Sequence, residues 1–209
     1  MTGDLLFITH QTERYSYLQS VEIALSGGCR KIQLRIKDAT PEEVEAAGRR
    51  ALVLCNHYRA ELYIDDHVDV CKHLQATGVH LGKSDMSPGK ARQYLGKGFI
   101  IGGTANTFDD IRSLHAQGVD YIGLGPFRFT RTKKKLSPVI GAEGYRDIME
   151  RCKAADIRLP VIAIGGITRM DIPELMKTGI AGIALSSAIL SADNPIEETR
   201  LIIQQLDSL

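Results

Sequence analysis

Eight short β-rich runs alternate with eight longer amphipathic runs along the whole 209-residue chain. The β-rich runs are LLFIT (5–9), CRKIQLRIK (29–37), AELYID (60–65), GVHLG (78–82), FIIGGT (99–104), VDYIGLG (119–125), PVIAIG (160–165) and AGIALS (181–186). The runs between them, such as SYLQSVEIALSGG and TFDDIRSLHAQG, space their apolar residues helically, begin after a polar cap and often stop at glycine. Eight units in 209 residues leave about 26 residues each, close to the minimum for a strand, a helix and two short loops. The pattern predicts an α/β fold, a single (β/α)8 TIM barrel spanning residues 1–209. An open doubly wound sheet fits less well, because no strand opens into a G-x-G-x-x-G turn.

Composition narrows the classes of partner. With 26 Lys+Arg against 25 Asp+Glu the formal charge is +1. No global field therefore draws the chain onto nucleic acid or an anionic membrane, and any anion site must be local. The start, MTGDLLFITH, carries an acid where a signal peptide carries basic residues, and no run approaches the ~20 apolar residues of a membrane helix. The four cysteines, Cys29, Cys55, Cys71 and Cys152, form no CxxC pair. Reduced thiols in a cytoplasmic protein are expected, rather than a zinc site or a disulfide scaffold. A homo-oligomer is compatible with the sequence without being specified by it.

In such a barrel, chemistry sits on the loops at the C-terminal ends of the strands. Along Lys31–Lys37 the side chains alternate, so Ile32, Leu34 and Ile36 face the helices while Gln33, Arg35 and Lys37 point inward and upward. Two cations held that close repel unless an anion lies between them, which points to a phosphate or pyrophosphate. The third strand ends in Asp65-Asp66 and the fourth is followed by Asp85. Hard oxygen ligands opposite a cationic cluster suit Mg²⁺ shared with substrate phosphates. Capping of the next helix by Asp65 or Asp66, and a turn role for Asp85, are equally consistent with the pattern.

The loop after the sixth strand, GPFRFTRTKKK, is long and basic, and Thr130, Thr132 and Lys133 are placed to close over an anion. Strands seven and eight end in Gly165-Gly166 and Ser186-Ser187, where barrels of this kind often cradle phosphate. GVHLGKS resembles a nucleotide P-loop but has three residues between its glycines where that motif needs four. No HExxH or GxSxG supports a zinc protease or a hydrolase triad. His80 is left either lining the site or satisfied in the core.

Taken together, QLRIKD, YIDDHVDV, GVHLGKSD, IIGGTANT, DYIGLGPFRFTRTKK, VIAIGGI and ALSSAI resemble the ordered motifs of the thiamine phosphate synthase family over nearly the whole chain. The resemblance implies a transferase of thiamine biosynthesis. Its small-molecule substrates would be 4-amino-5-hydroxymethyl-2-methylpyrimidine diphosphate and a thiazole phosphate, joined to give thiamine monophosphate and pyrophosphate by a dissociative, Mg²⁺-assisted substitution. Carried over by motif, Asp66 and Asp85 would bind Mg²⁺, and Arg35, Lys37 and Lys133 would hold the pyrophosphate as the catalytic cations. Gln33 and Thr104 would face the pyrimidine, Thr130 and Thr132 would fix the bridging loop, Gly166, Ser186 and Ser187 would hold the thiazole phosphate, and Asp65 would be a further substrate-binding position.

Three positions depart from that pattern. Asp65 stands where the family usually has Asn, Lys83 where Gln is common, and Asn106 where the related thiazole tautomerase carries a catalytic His. That isomerase and a non-catalytic phosphate-sensing barrel are the competing functions. Asn106 argues against the first, since an amide does not shuttle protons as His does.

Overall fold

The computed structural model describes residues 3–129 and 138–209. Eight parallel strands close into a barrel in sequence order. They are β1 (Asp4–Ile8), β2 (Lys31–Leu34), β3 (Glu61–Asp65), β4 (Gly78–Leu81), β5 (Ile100–Ala105), β6 (Tyr121–Leu124), β7 (Val161–Ile164) and β8 (Gly182–Leu185). Closure comes from the pairing of β8 with β1, Leu185 opposite Phe7.

The outer layer holds α1 (Tyr17–Ser26), α2 (Pro41–His57), α3 (Val68–Leu74), α4 (Pro88–Leu95), α5 (Phe108–Ala116) and α6 (Gly141–Ala154). A 3₁₀ turn (Arg169–Asp171) then leads into α7 (Ile172–Met176), followed by α8 (Ser187–Leu190) and α9 (Pro195–Asp207). Capping boxes start three of these helices, pairing Ser16 with Gln19, Thr40 with Glu43 and Thr107 with Asp110. Proline in the first turn opens α2, α4 and α9 without losing a helical hydrogen bond. Helix α8 lies outside the eight periodic runs, because four residues carry no readable period. Among the described residues no helix is long and apolar enough to cross a membrane.

The period of two divides the core into two parts. Phe7, Ile32, Leu34, Leu62, Ile64, Ile101 and Ile122 face the helices and are fully buried, each worth roughly 1.5–3 kcal/mol of hydrophobic stabilisation. Their neighbours Leu6, Ile8, Tyr63, Tyr121, Ile162 and Ala184 fill the barrel interior as a separate cluster. Gly102 and Gly123 make room there: a Cβ would lie 2.2 Å from the Tyr121 ring in the first case and 2.8 Å from the His80 ring in the second. Two large polar side chains can therefore stand inside the barrel below its upper mouth.

Strand β2 is shorter than the 29–37 run suggests. Its ladder ends with Gln33 opposite Ile8 and Leu34 opposite Ile64. Beyond that point the Thr9 side chain takes over, its hydroxyl accepting from the Arg35 N–H at 2.8 Å and donating to the Arg35 carbonyl at 3.0 Å.

Candidate active site

A cavity of about 610 Å³ opens at the C-terminal ends of the strands, and all eight strands or the loops after them contribute to its lining. It gathers Gln33, Arg35, Asp65, Asp66, Asp85, Thr104, Gly166, Ser186 and Ser187. Lys37 lies on an adjoining cavity of about 500 Å³, which it shares with Arg35, Asp66 and Asp85. The inward aim read for Lys37 is thus displaced to the flank, since β2 has ended at Leu34 before Lys37 is reached. Thr130, Thr132 and Lys133 lie outside the described residues.

One wall is built from charged side chains. The Thr9 hydroxyl fixes the backbone of Arg35, and the Arg35 Nε stands 3.2 Å from Asp65 Oδ2. The Gln33 amide donates from Nε2 to the other Asp65 oxygen. An ionised carboxylate only accepts, so this contact leaves the Gln33 carbonyl oxygen as the group offered elsewhere. Asp66 follows in the left-handed region, with φ 66°. Neither Asp65 nor Asp66 caps α3, whose N-cap is His67 without a side-chain bond. Asp85 is both a turn residue and part of the cavity: its carboxylate accepts from the Gly82 N–H at 2.7 Å.

Burial, the Asp65 charge and a hydrogen bond with Asp85 push the Asp66 carboxyl up to about 8, against an opposing pull from Arg35. Carboxylates crowded in this way form a donor set suited to a hard divalent cation. Among the described residues no group of three protein ligands forms. Two carboxylates, with the remaining positions left to water and phosphate oxygens, fit Mg²⁺ better than a metal that wants an all-protein cage.

The floor is polar. One ring nitrogen of His80 lies 3.0 Å from the Tyr121 hydroxyl and the other 3.0 Å from Thr104 Oγ1. Burial raises the Tyr121 phenol far above its ordinary value, so it stays protonated. His80 is therefore both a lining residue and a satisfied one, and Tyr121, unremarked in the sequence, is what holds its ring.

The opposite wall is backbone and hydroxyl. Gly165 and Gly166 turn through φ 96° and 68°, and a Cβ on Gly166 would meet Arg128 Cβ at 2.8 Å. The tight-turn explanation for these glycines holds, and the same turn lines the cavity. Ser186 Oγ is buried at the cavity edge and finds no hydrogen-bond partner among the described residues. A buried hydroxyl in that condition calls for a polar ligand.

A family model described as thiamine monophosphate synthase matches residues 5–189. The chain belongs to the thiamine monophosphate synthase family. A thiamine-phosphate synthase of Bacteroides fragilis is 60% identical over 199 residues, covering 95% of this chain and 98% of that protein. One from Bacteroides thetaiotaomicron is 57% identical, with 95% of each chain covered. A solved structure described as thiamine phosphate pyrophosphorylase from Pyrococcus furiosus superposes with a TM-score of 0.83 at 34% identity, covering 98% of this chain and 97% of the other.

In this member of the thiamine monophosphate synthase family, Asp65, Lys83 and Asn106 make definite contacts. Asp65 adds an ion pair to Arg35 that an amide would not make. Lys83 is drawn to Asp110 at 2.8 Å, bridging the loop after β4 to the first turn of α5. Asn106 donates from Nδ2 to the Gly125 carbonyl at 2.5 Å, and its own N–H donates to Asp110 at 2.9 Å. Its amide ties the β5 and β6 loops together across the cavity rim.

Proposed function

We propose that the protein couples 4-amino-5-hydroxymethyl-2-methylpyrimidine diphosphate to a thiazole phosphate, giving thiamine monophosphate and pyrophosphate. The observation that carries this reading is the pairing, in one cavity, of a wall of charged side chains with a wall of glycine backbone and a partnerless buried serine hydroxyl. A reaction with two phosphorylated substrates, only one of which loses its phosphate group, needs two such unlike anion sites.

In the reaction the bond from the pyrimidine methylene carbon to the diphosphate oxygen breaks, its electron pair leaving with pyrophosphate. The thiazole nitrogen then donates its lone pair to the resulting cation. No proton has to be removed by the protein, so the reaction needs no activated nucleophile. The tasks left are to stabilise developing charge and to hold the nucleophile in line.

Arg35 and Lys37 would meet the departing pyrophosphate, and the family motif adds Lys133 to them. Asp66 and Asp85 would hold Mg²⁺, which when bound supplies further positive charge beside the diphosphate. The Gln33 carbonyl suits the pyrimidine amino group, with Asp65 fixing the amide and Thr104 alongside. Gly166, Ser186 and Ser187 would receive the thiazole phosphate, and by the family motif Thr130 and Thr132 would fix the bridging loop. Four buried free cysteines fit a cytoplasmic setting.

Isomerisation of the thiazole by proton transfer has less support. Both His80 nitrogens are engaged by Tyr121 and Thr104, and the Asn106 amide is spent on Gly125. Incubation with both substrates and Mg²⁺ should yield thiamine monophosphate and pyrophosphate in equal amounts, and Asn106→His should leave coupling largely intact. Isomerised thiazole without coupled product would overturn the assignment.

A further inference from the structure

Arg128 and Asp171 stand 43 positions apart on the loops that follow β6 and β7, and neither lines the cavity. Their contact is bidentate: Nη1 donates to Oδ2 at 2.5 Å and Nη2 to Oδ1 at 2.6 Å. The same carboxylate accepts from the Thr168 N–H at 2.9 Å and from its hydroxyl at 2.8 Å. On the other loop the Arg128 N–H donates to the Gly165 carbonyl at 2.8 Å, and the Phe127 N–H to that of Ile164 at 2.9 Å. The guanidinium lies over the buried Phe127 ring, 4.7 Å from its centroid.

The Gly165–Gly166 turn is thus held from both ends, by backbone bonds before it and by the Asp171–Thr168 contacts after it. It has no slack toward the β6 loop, since a Cβ on Gly166 would also meet the Phe129 carbonyl oxygen at 3.0 Å. Folding stability is a weak reason for the ion pair, because the Arg128 side chain is 52% exposed and its charge is well screened. Geometry is a better one. A planar fork on a carboxylate fixes direction as well as distance, which a lysine ammonium does not.

We propose that Arg128 is a positioning residue: through its fork onto Asp171 it sets the Gly165–Gly166 turn at the spacing that receives the phosphate of the thiazole substrate. The proposal rests on the reading of that turn as the thiazole-phosphate side of the cavity.

The test is steady-state coupling with each substrate varied in turn, on wild type, Arg128→Ala, Arg128→Lys and Asp171→Asn, with Tm measured in parallel. Both Arg128 variants should raise the KM for thiazole phosphate about tenfold, with kcat and the KM for pyrimidine diphosphate within about twofold of wild type. Asp171→Asn should behave alike, and the Arg128→Ala/Asp171→Asn double variant should be no worse than either single one. A lower Tm with both KM values unchanged would overturn the proposal, as would full function in Arg128→Lys or a rise confined to the pyrimidine substrate. If wild type does not couple the rings, the functional reading fails first. Calorimetric titration of thiazole phosphate onto wild type and Arg128→Lys then still decides the clamp: about tenfold weaker binding supports it and equal binding overturns it.

Discussion

Two carboxylates on the active face are moved in opposite directions. Asp66, on the charged wall, is pushed up to about 8 by burial and by Asp65 and Asp85, with Arg35 only partly compensating. Asp171, behind the glycine wall, is also raised by burial, but hydrogen bonds from Arg128 and Thr168 outweigh that and hold it below its ordinary 3.8. The first is an electrostatic deficit. Between 3.8 and about 8 the folded chain keeps a proton there that the unfolded chain releases, so ionising that wall opposes folding until a cation joins it. The second is a closed account within the protein, where the charge is already matched. A wall left short of positive charge suits a step in which charge changes, whereas a matched wall suits holding a phosphate whose charge stays constant.

The largest effect expected from this contrast falls on the charged wall. Chelation of divalent metal, or Asp85→Ala at ordinary Mg²⁺, should lower turnover by on the order of a thousandfold without unfolding the chain. Full activity in excess chelator, followed by product assay and circular dichroism, would break the contrast at its root. Next, Arg35→Ala should cost about a hundredfold in kcat, the usual loss for one contact to developing charge. On the other wall Ser186→Ala should raise the KM for thiazole phosphate about tenfold with kcat nearly kept, as for loss of one hydrogen bond to a charged group. A reversed pattern in the steady-state parameters would mean that the walls have been exchanged.

The smallest effect concerns acid stability. Because the folded-state pKa of Asp171 is depressed, its contribution is present above its ordinary 3.8 and is lost as the pH falls through the folded value. Asp171→Asn should therefore flatten the acid limb of a pH–stability profile below about pH 4 and lower stability at neutral pH. An acid limb as steep as in wild type would show that this carboxylate is not held below its ordinary value.

Much of this was legible because it is periodic or local. Alternation along β2 separates Gln33 from Ile32 and Leu34, and the barrel places them on opposite faces as that period requires. Capping signals such as Thr40 with Glu43 are written within four residues. What lay hidden depends on contacts between distant positions. Tyr121 meets His80 across 41 residues, Arg128 meets Asp171 across 43, and Lys83 meets Asp110 across 27. Each of these joins separate βα units, and nothing in a single unit's pattern names its partner. The end of β2 was hidden for the same reason, since the Thr9 hydroxyl that replaces the ladder at Arg35 comes from β1's own C-terminal edge. Asp171 and Asp110 left a trace, each as the acid of a T-x-x-D capping sequence.

The division of labour between the two walls is tested most directly by single-turnover release of pyrophosphate from enzyme saturated with both substrates and Mg²⁺. Arg35→Ala should slow that release about a hundredfold, while Ser186→Ala should match wild type once thiazole phosphate saturates. A slow Ser186→Ala at saturation, together with an Arg35→Ala that releases pyrophosphate normally and only binds thiazole phosphate less well, would contradict it.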